Sequence, residues 1–243
     1  MRARFALFSI GWSDLAIRYL RGVFAAPVFA AAAFGLLAAS AEARDPLWDE
    51  VPWEERLGVE WFEKRAERGN TEAQLNLAKM YEQGIGTDPD LARAAKWYEA
   101  AALSGNAEAQ FRLASLLSSG RMGVADFAAA VRWFRAASDQ GVAAASFNLA
   151  VMAEQGLGMP EDDAFAADRY EMAFGQGMAR AALMRGLLAL NAEPPRGVEA
   201  LEWFLRANSA GVAEARVLAE STASQLNEEQ RESARLQAEQ PPR

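Results

Sequence analysis

The chain has 243 residues with a formal net charge of −8, no His and no Cys. Those two absences exclude Ser-His and Cys-His nucleophile pairs, disulfides, zinc sites with the usual ligands, and haem or iron–sulfur ligation through either residue. Ala is the commonest residue, with 54 copies, which favours helix over sheet and lets helices pack closely.

The first 43 residues read as a leader. Arg18 and Arg21 precede an apolar run from Gly22 to Ala39, and Ser40-Ala41-Glu42-Ala43 then supplies small residues before the polar Arg44-Asp45-Pro46. A basic flank, an apolar stretch and a small-residue exit are the marks of a secretory signal peptide. Cleavage is expected after Ala41 or Ala43, and the basic leader is long enough to suggest a true start nearer Leu20. Membrane contact is expected only if residues 22–39 are retained, since the run is Ala-rich and broken by Pro27. Removing residues 1–43 takes away four Arg and two acids, so the remainder is still more acidic. Such a surface repels phosphate backbones, and nucleic-acid binding is not expected. Export places the protein in the periplasm or outside the cell.

Residues 44–56 form an N-terminal linker or cap. Trp48 and Trp53 in this acidic, Pro-containing stretch are expected to close the open N-terminal end of the folded array, or to anchor a partner.

From Leu57 to Ala219 the chain repeats. Gly69, Gly105, Gly141 and Gly177 stand 36 residues apart, and Gly211 comes after a further 34. Trp61, Trp97 and Trp133 keep the same step, with Arg169 breaking the column before Trp203. Beside them run Phe62, Tyr98, Phe134, Tyr170 and Phe204, and four residues after each glycine sits an Ala. Within a unit, apolar groups at 73, 77, 80 and 81 have helical spacing. Gly84-Ile85-Gly86 ends that first helix. Asp90, Asp126 and Asp162 suit the N-cap of a second helix, which carries the aromatic pair. One such hairpin cannot bury its own apolar face, but stacked neighbours can. The aromatic columns are expected in the inter-helix core, where truncating Trp97 or Trp133 to Ala would cost about 3–5 kcal/mol.

Gly105-Asn106-Ala107-Glu108-Ala109-Gln110-Phe111-Arg112-Leu113-Ala114, the turn at Gly84 and Gly86, and Ala94-x-x-Trp97-Tyr98-x-x-Ala101 resemble Sel-one-like repeats, a branch of the tetratricopeptide superfamily. The resemblance implies an all-α fold, an α/α superhelical solenoid of helix-turn-helix repeats. It also implies a scaffold or adaptor role, which in bacterial members often means envelope regulation, secretion or host contact. The fourth unit departs from the pattern. Arg185 stands where Leu77, Leu113 and Leu149 sit, Pro194-Pro195 replaces the glycine turn, and a one-residue slip would give Met184 the core place. Residues 220–243 read as a polar cap helix opened by Asn227, with a frayed tail after it.

The first-helix positions that face neither core are the candidate site. They are Glu72, Asn76, Lys79 and Gln83 in one unit, Glu108, Arg112 and Ser115 in the next, and Asn148 and Val151 in the third. In the superfamily's geometry they would line a concave groove for another protein or a peptide segment. The face grows more apolar toward Met184 and Leu187, which marks either a partner patch or the packing of the cap helix. No catalytic residue, cofactor or metal is expected. The acids at Asp88-Pro89-Asp90 and Glu161-Asp162-Asp163 match helix caps rather than a calcium loop. The Gly-x-Gly turns lack the third glycine of a dinucleotide loop. The sequence therefore favours a monomeric, non-enzymatic, exported adaptor. Its alternatives are a periplasmic regulator restraining a membrane sensor kinase, and a cell-wall or glycan hydrolase or its accessory.

Overall fold

The structure is a computed structural model that describes residues 58–241. The expected leader, the linker with Trp48 and Trp53, and the last two residues lie outside the described residues. Within them the chain is all helix and turn, arranged as tandem hairpins in an α/α solenoid. It opens on a second helix, α1 (Val59–Glu67). Four hairpins come next: α2 (Thr71–Gln83) with α3 (Leu91–Leu103), α4 (Ala107–Ser119) with α5 (Phe127–Asp139), α6 (Ala143–Glu154) with α7 (Asp163–Gly175), and α8 (Ala179–Asn191) with α9 (Gly197–Ser209). A further first helix, α10 (Ala213–Ser224), and a polar helix, α11 (Glu228–Ala238), end the array. Each helix packs on its neighbours in the chain, except that α11 folds back onto α9 rather than onto α10.

The caps are written in the sequence. Asp90, Asp126 and Asp162 each accept from the backbone amide three residues on, at 3.0, 2.8 and 2.9 Å, fixing the starts of α3, α5 and α7. Asn70 and Asn106 do the same for α2 and α4 at 2.8 Å, whereas Val142, Met178 and Val212 bring no side-chain cap to the later first helices. The turn between hairpins needs a positive φ, as at Gly105 (86°). Gly158 is required for a second reason. A Cβ there would lie 2.4 Å from the backbone of Phe127, so the loop of one unit can press on the start of α5 only without a side chain.

The aromatic columns divide in a way the period does not show. Tyr98, Phe134, Tyr170 and Phe204 are fully buried. Trp97 and Trp133 are only half-buried, packing on the rim of the core, and Trp61 is like them. Only Trp203 in that column is buried. The expectation that Trp97 and Trp133 carry the core is therefore corrected: the second aromatic points between helices while the first covers them. The cavity cost belongs mainly to the Tyr and Phe column.

The fourth unit keeps its register, so the one-residue slip does not occur. Ala181, Leu188 and Ala189 are buried at the 36-residue offset from their counterparts, and Met184 is half-buried. Arg185 itself takes the leucine place. It pairs with Glu199 and lies 5.5 Å from the Trp203 ring. Beside it, Gly186 replaces the Ala of earlier units, because a Cβ would come within 2.6 Å of the Phe204 ring.

Candidate functional site

Stacking brings successive first helices together, and an ion pair between different positions of two of them shows the contact directly. Glu108, at the start of α4, accepts from Lys79 of α2 at 2.8 Å and lies 3.6 Å from Arg112 on its own helix. Three of the candidate residues from two units thus meet on one face. Lys79 and Arg112 keep 27% and 39% of their side-chain surface exposed, so the pair is a surface feature rather than a buried bridge.

The other candidates lie along the same helices. Glu72 and Gln83 are exposed at the two ends of α2, and Asn76 is half-buried between them. Ser115 is half-buried and its hydroxyl is committed, donating to the Phe111 carbonyl at 2.8 Å. Asn148 and Val151 are half-buried on α6, and Val151 packs with Met184 against one shared cluster. Leu187 packs against the C-terminal cluster that also holds Ala234 of α11. The side-chain amides of Asn76 and Asn148 make no hydrogen bond to any described residue and are not sealed from solvent. On a half-buried face such amides are open donors and acceptors.

Two neighbours of this face escaped the sequence reading. Glu82 accepts from the Tyr98 hydroxyl at 2.7 Å and meets Arg121, from the loop after α4, at 3.5 Å. Burial pushes the Tyr98 hydroxyl above its ordinary range, and Glu82 adds to the effect. A signal existed. Tyr98 and Tyr170 each have a Glu sixteen residues earlier, Glu82 and Glu154, whereas Phe134 has Ser118 there. A buried hydroxyl needs an acceptor and a phenyl ring does not.

Behind the face runs a partly buried polar seam. Gln74 and Gln110 donate to the Ala66 and Ala102 carbonyls at 3.1 and 3.2 Å, tying each first helix to the end of the helix before it. Gln140 then donates to Gln110 at 2.8 Å, and Ser146 to Gln176 at 3.0 Å. Among the described residues no helix is long and apolar enough to cross a membrane.

Comparison with known proteins agrees with this architecture. Sel1 repeats match residues 47–70, 71–106, 107–142, 143–178 and 176–212. A search of curated proteins found no match. Among solved structures, a protective antigen of uropathogenic Escherichia coli strains, displaying an SLR fold, is 29% identical with a TM-score of 0.60. The match covers 74% of this chain and 39% of that one, so the chain spans about two-fifths of the antigen's length. A Sel1 repeat protein from Oxalobacter formigenes has the same fold at 23% identity and a TM-score of 0.59, over 72% of this chain and 75% of that one. With Sel1 repeats covering residues 47–212, the chain belongs to the Sel1 repeat family.

Proposed function

We propose that the protein is an exported, non-enzymatic scaffold that holds another protein, or a peptide segment of one, along the shared face of its first helices. Sel1 repeats generally build protein–protein interaction scaffolds, and the finer reading rests on this chain's own residues. The observation that carries it is the continuity of that face across units. Glu108 joins α2 to α4, and half-buried amides at Asn76 and Asn148 stand on either side with no partner among the described residues. A half-buried polar group without an internal partner is stabilised when a ligand supplies one. Export is proposed from the leader-like residues 1–43, and a periplasmic location is its consequence.

The test is crosslinking in living cells with a tag at Arg243. Asn76→Ala, Arg112→Ala and Asn148→Ala are carried together in a parallel strain. A protein captured by the native chain and lost with the triple variant establishes the face as a recognition surface. Equal capture by both, or none by either, refutes it. N-terminal sequencing of the recovered chain locates the cleavage point, and an intact residue 1 would refute export by cleavage.

A further inference from the structure

The proposed groove is chemically uneven, and its unevenness points to the kind of segment it takes. The chain as a whole carries −8. The outward face of its first helices does not share that excess: Lys79, Arg112 and Arg180 stand there against Glu72, Glu108 and Glu214. Glu108 is engaged at 2.8 Å by Lys79, while its approach to Arg112 is a loose 3.6 Å, beyond hydrogen-bond length. Arg112, 39% exposed, therefore keeps its planar fork available, and an Arg fork grips a carboxylate through two parallel bonds. One position in each unit forms a column, Asn76, Arg112, Asn148 and then Met184. An amide that both donates and accepts matches the backbone of an extended peptide, and the two Asn amides have no other partner among the described residues. Past Asn148 the face carries an apolar pair, Val151 and Met184, half-buried against one cluster.

We infer that the groove binds an extended segment carrying an acidic side chain over Arg112 and an apolar side chain over Val151 and Met184. The inference rests on the reading of this face as the recognition surface. The spacing is set by the stacking. Neighbouring helices lie about 10 Å apart, so Arg112 and the apolar pair are separated by about 10–20 Å. An extended chain advances about 3.3 Å per residue, which puts the acid roughly three to six residues from the apolar anchor. Charge complementarity selects the acid: elsewhere the acidic surface repels such a segment, and here it meets a cation whose own carboxylate is held by Lys79.

The test is selection from a random dodecapeptide library displayed on phage, run against the full chain and against its Arg112→Glu variant. Circular dichroism checks that the variant folds. The native chain is expected to enrich peptides with Asp or Glu three to six residues from Leu, Ile, Met or Phe. Arg112→Glu is expected to bind those peptides at least tenfold more weakly and to enrich Lys or Arg at the same spacing. Enrichment of basic peptides by the native chain, peptides without the apolar anchor, no enrichment, or equal retention by the variant each overturns the inference. An Asn76→Ala, Asn148→Ala variant separates the two failures. If the native chain selects a different class of peptide that this variant loses, the face recognises partners but not this one. If no selected peptide depends on Asn76, Arg112 or Asn148, the groove reading falls as well.

Discussion

Tyr170 is fully buried, and its hydroxyl donates to Glu154 at 2.8 Å, so a charged carboxylate is drawn into the body of the repeat. Burial pushes the Glu154 carboxyl above its ordinary value, the nearby Asp163 adds to the rise, and the Tyr170 hydrogen bond opposes it. The folded chain therefore holds this proton more tightly than the unfolded chain does. Stability from that proton is fully present below the unfolded value, about 4.3, and is lost as pH rises through the folded one. At neutral pH the charge on Glu154 is then a cost of the pair, not a gain. Glu154→Gln keeps an acceptor oxygen for Tyr170 and removes the buried charge. The variant is expected to melt above the native chain at pH 7, with the difference closing as the pH falls toward 4. Thermal melts across that range check it, and a difference independent of pH would show that Glu154 is not strained by burial. The repeat period predicted where Tyr170 lies. The matching acid sixteen residues earlier could have been read too, but only by asking what a buried hydroxyl bonds.

At the scale of elements, the end of the array depends on one residue that its column does not announce. In α3 and α5 the corresponding position is Ala100 and Ala136, whereas α9 has Arg206, with only 7% of its side chain exposed. The guanidinium lies 5.0 Å from the Trp203 ring and pairs with Glu202 at 3.0 Å. It donates to the Gln237 and Gln240 carbonyls at 2.6 and 2.7 Å. Those carbonyls belong to the last turn of α11 and the residues just after it, where a cation also suits the helix dipole. α11 has a capping box at Asn227 but buries only Ala234. An eleven-residue helix with so little apolar contact is marginal alone. Arg206→Leu keeps an apolar stem on Trp203 but removes every one of those bonds and leaves Glu202 without its cation. Breaking a buried pair in this way costs about 3–5 kcal/mol. Hydrogen exchange is expected to show amides 228–238 losing protection while α2 to α8 keep theirs. Unchanged protection would assign the docking of α11 to Ala234 instead. The sequence announced a polar last helix through Asn227 and its acids; where that helix docks depends on Arg206, which in sequence is one more charge on an amphipathic strip.

For the whole molecule, legibility tracked the period. Columns of Gly, Ala and capping Asp recur because every unit solves the same problem of burying one hairpin against the next. Which aromatic column is interior was legible only as a hint. Trp97 and Tyr98 are adjacent, and the one sign between them is that Arg169 breaks the Trp column while the other stays aromatic in every unit. The crossing of the helices decides which one points inward. The face proposed for a partner is legible in place, as the positions left over, but its chemistry emerged only when Lys79, Glu108 and Arg112 were seen to meet across units. If the array is a sum of like units, then removing one whole period should leave a folded protein. Deleting residues 107–142 joins Asn106 to Ala143, so that α3 leads into α6 in the register α4 now occupies. The junction is favourable locally. Asn106 brings to α6 the side-chain cap that Val142 does not provide, worth about 1 kcal/mol. Tyr98 keeps Glu82 and Tyr170 keeps Glu154, because each pair lies within one hairpin. What is lost is one unit and one interface, so the shortened chain is expected to remain helical and to melt cooperatively at a lower temperature. A deletion shorter by two residues, 107–140, would put every column of the later units out of phase with α3 and leave Gly and Val at the junction between the cap and its helix. Circular dichroism melts of the two chains make the comparison. A 36-residue deletion that melts no better than the 34-residue one would show that the units are not interchangeable, and that this array owes its stability to contacts peculiar to each interface.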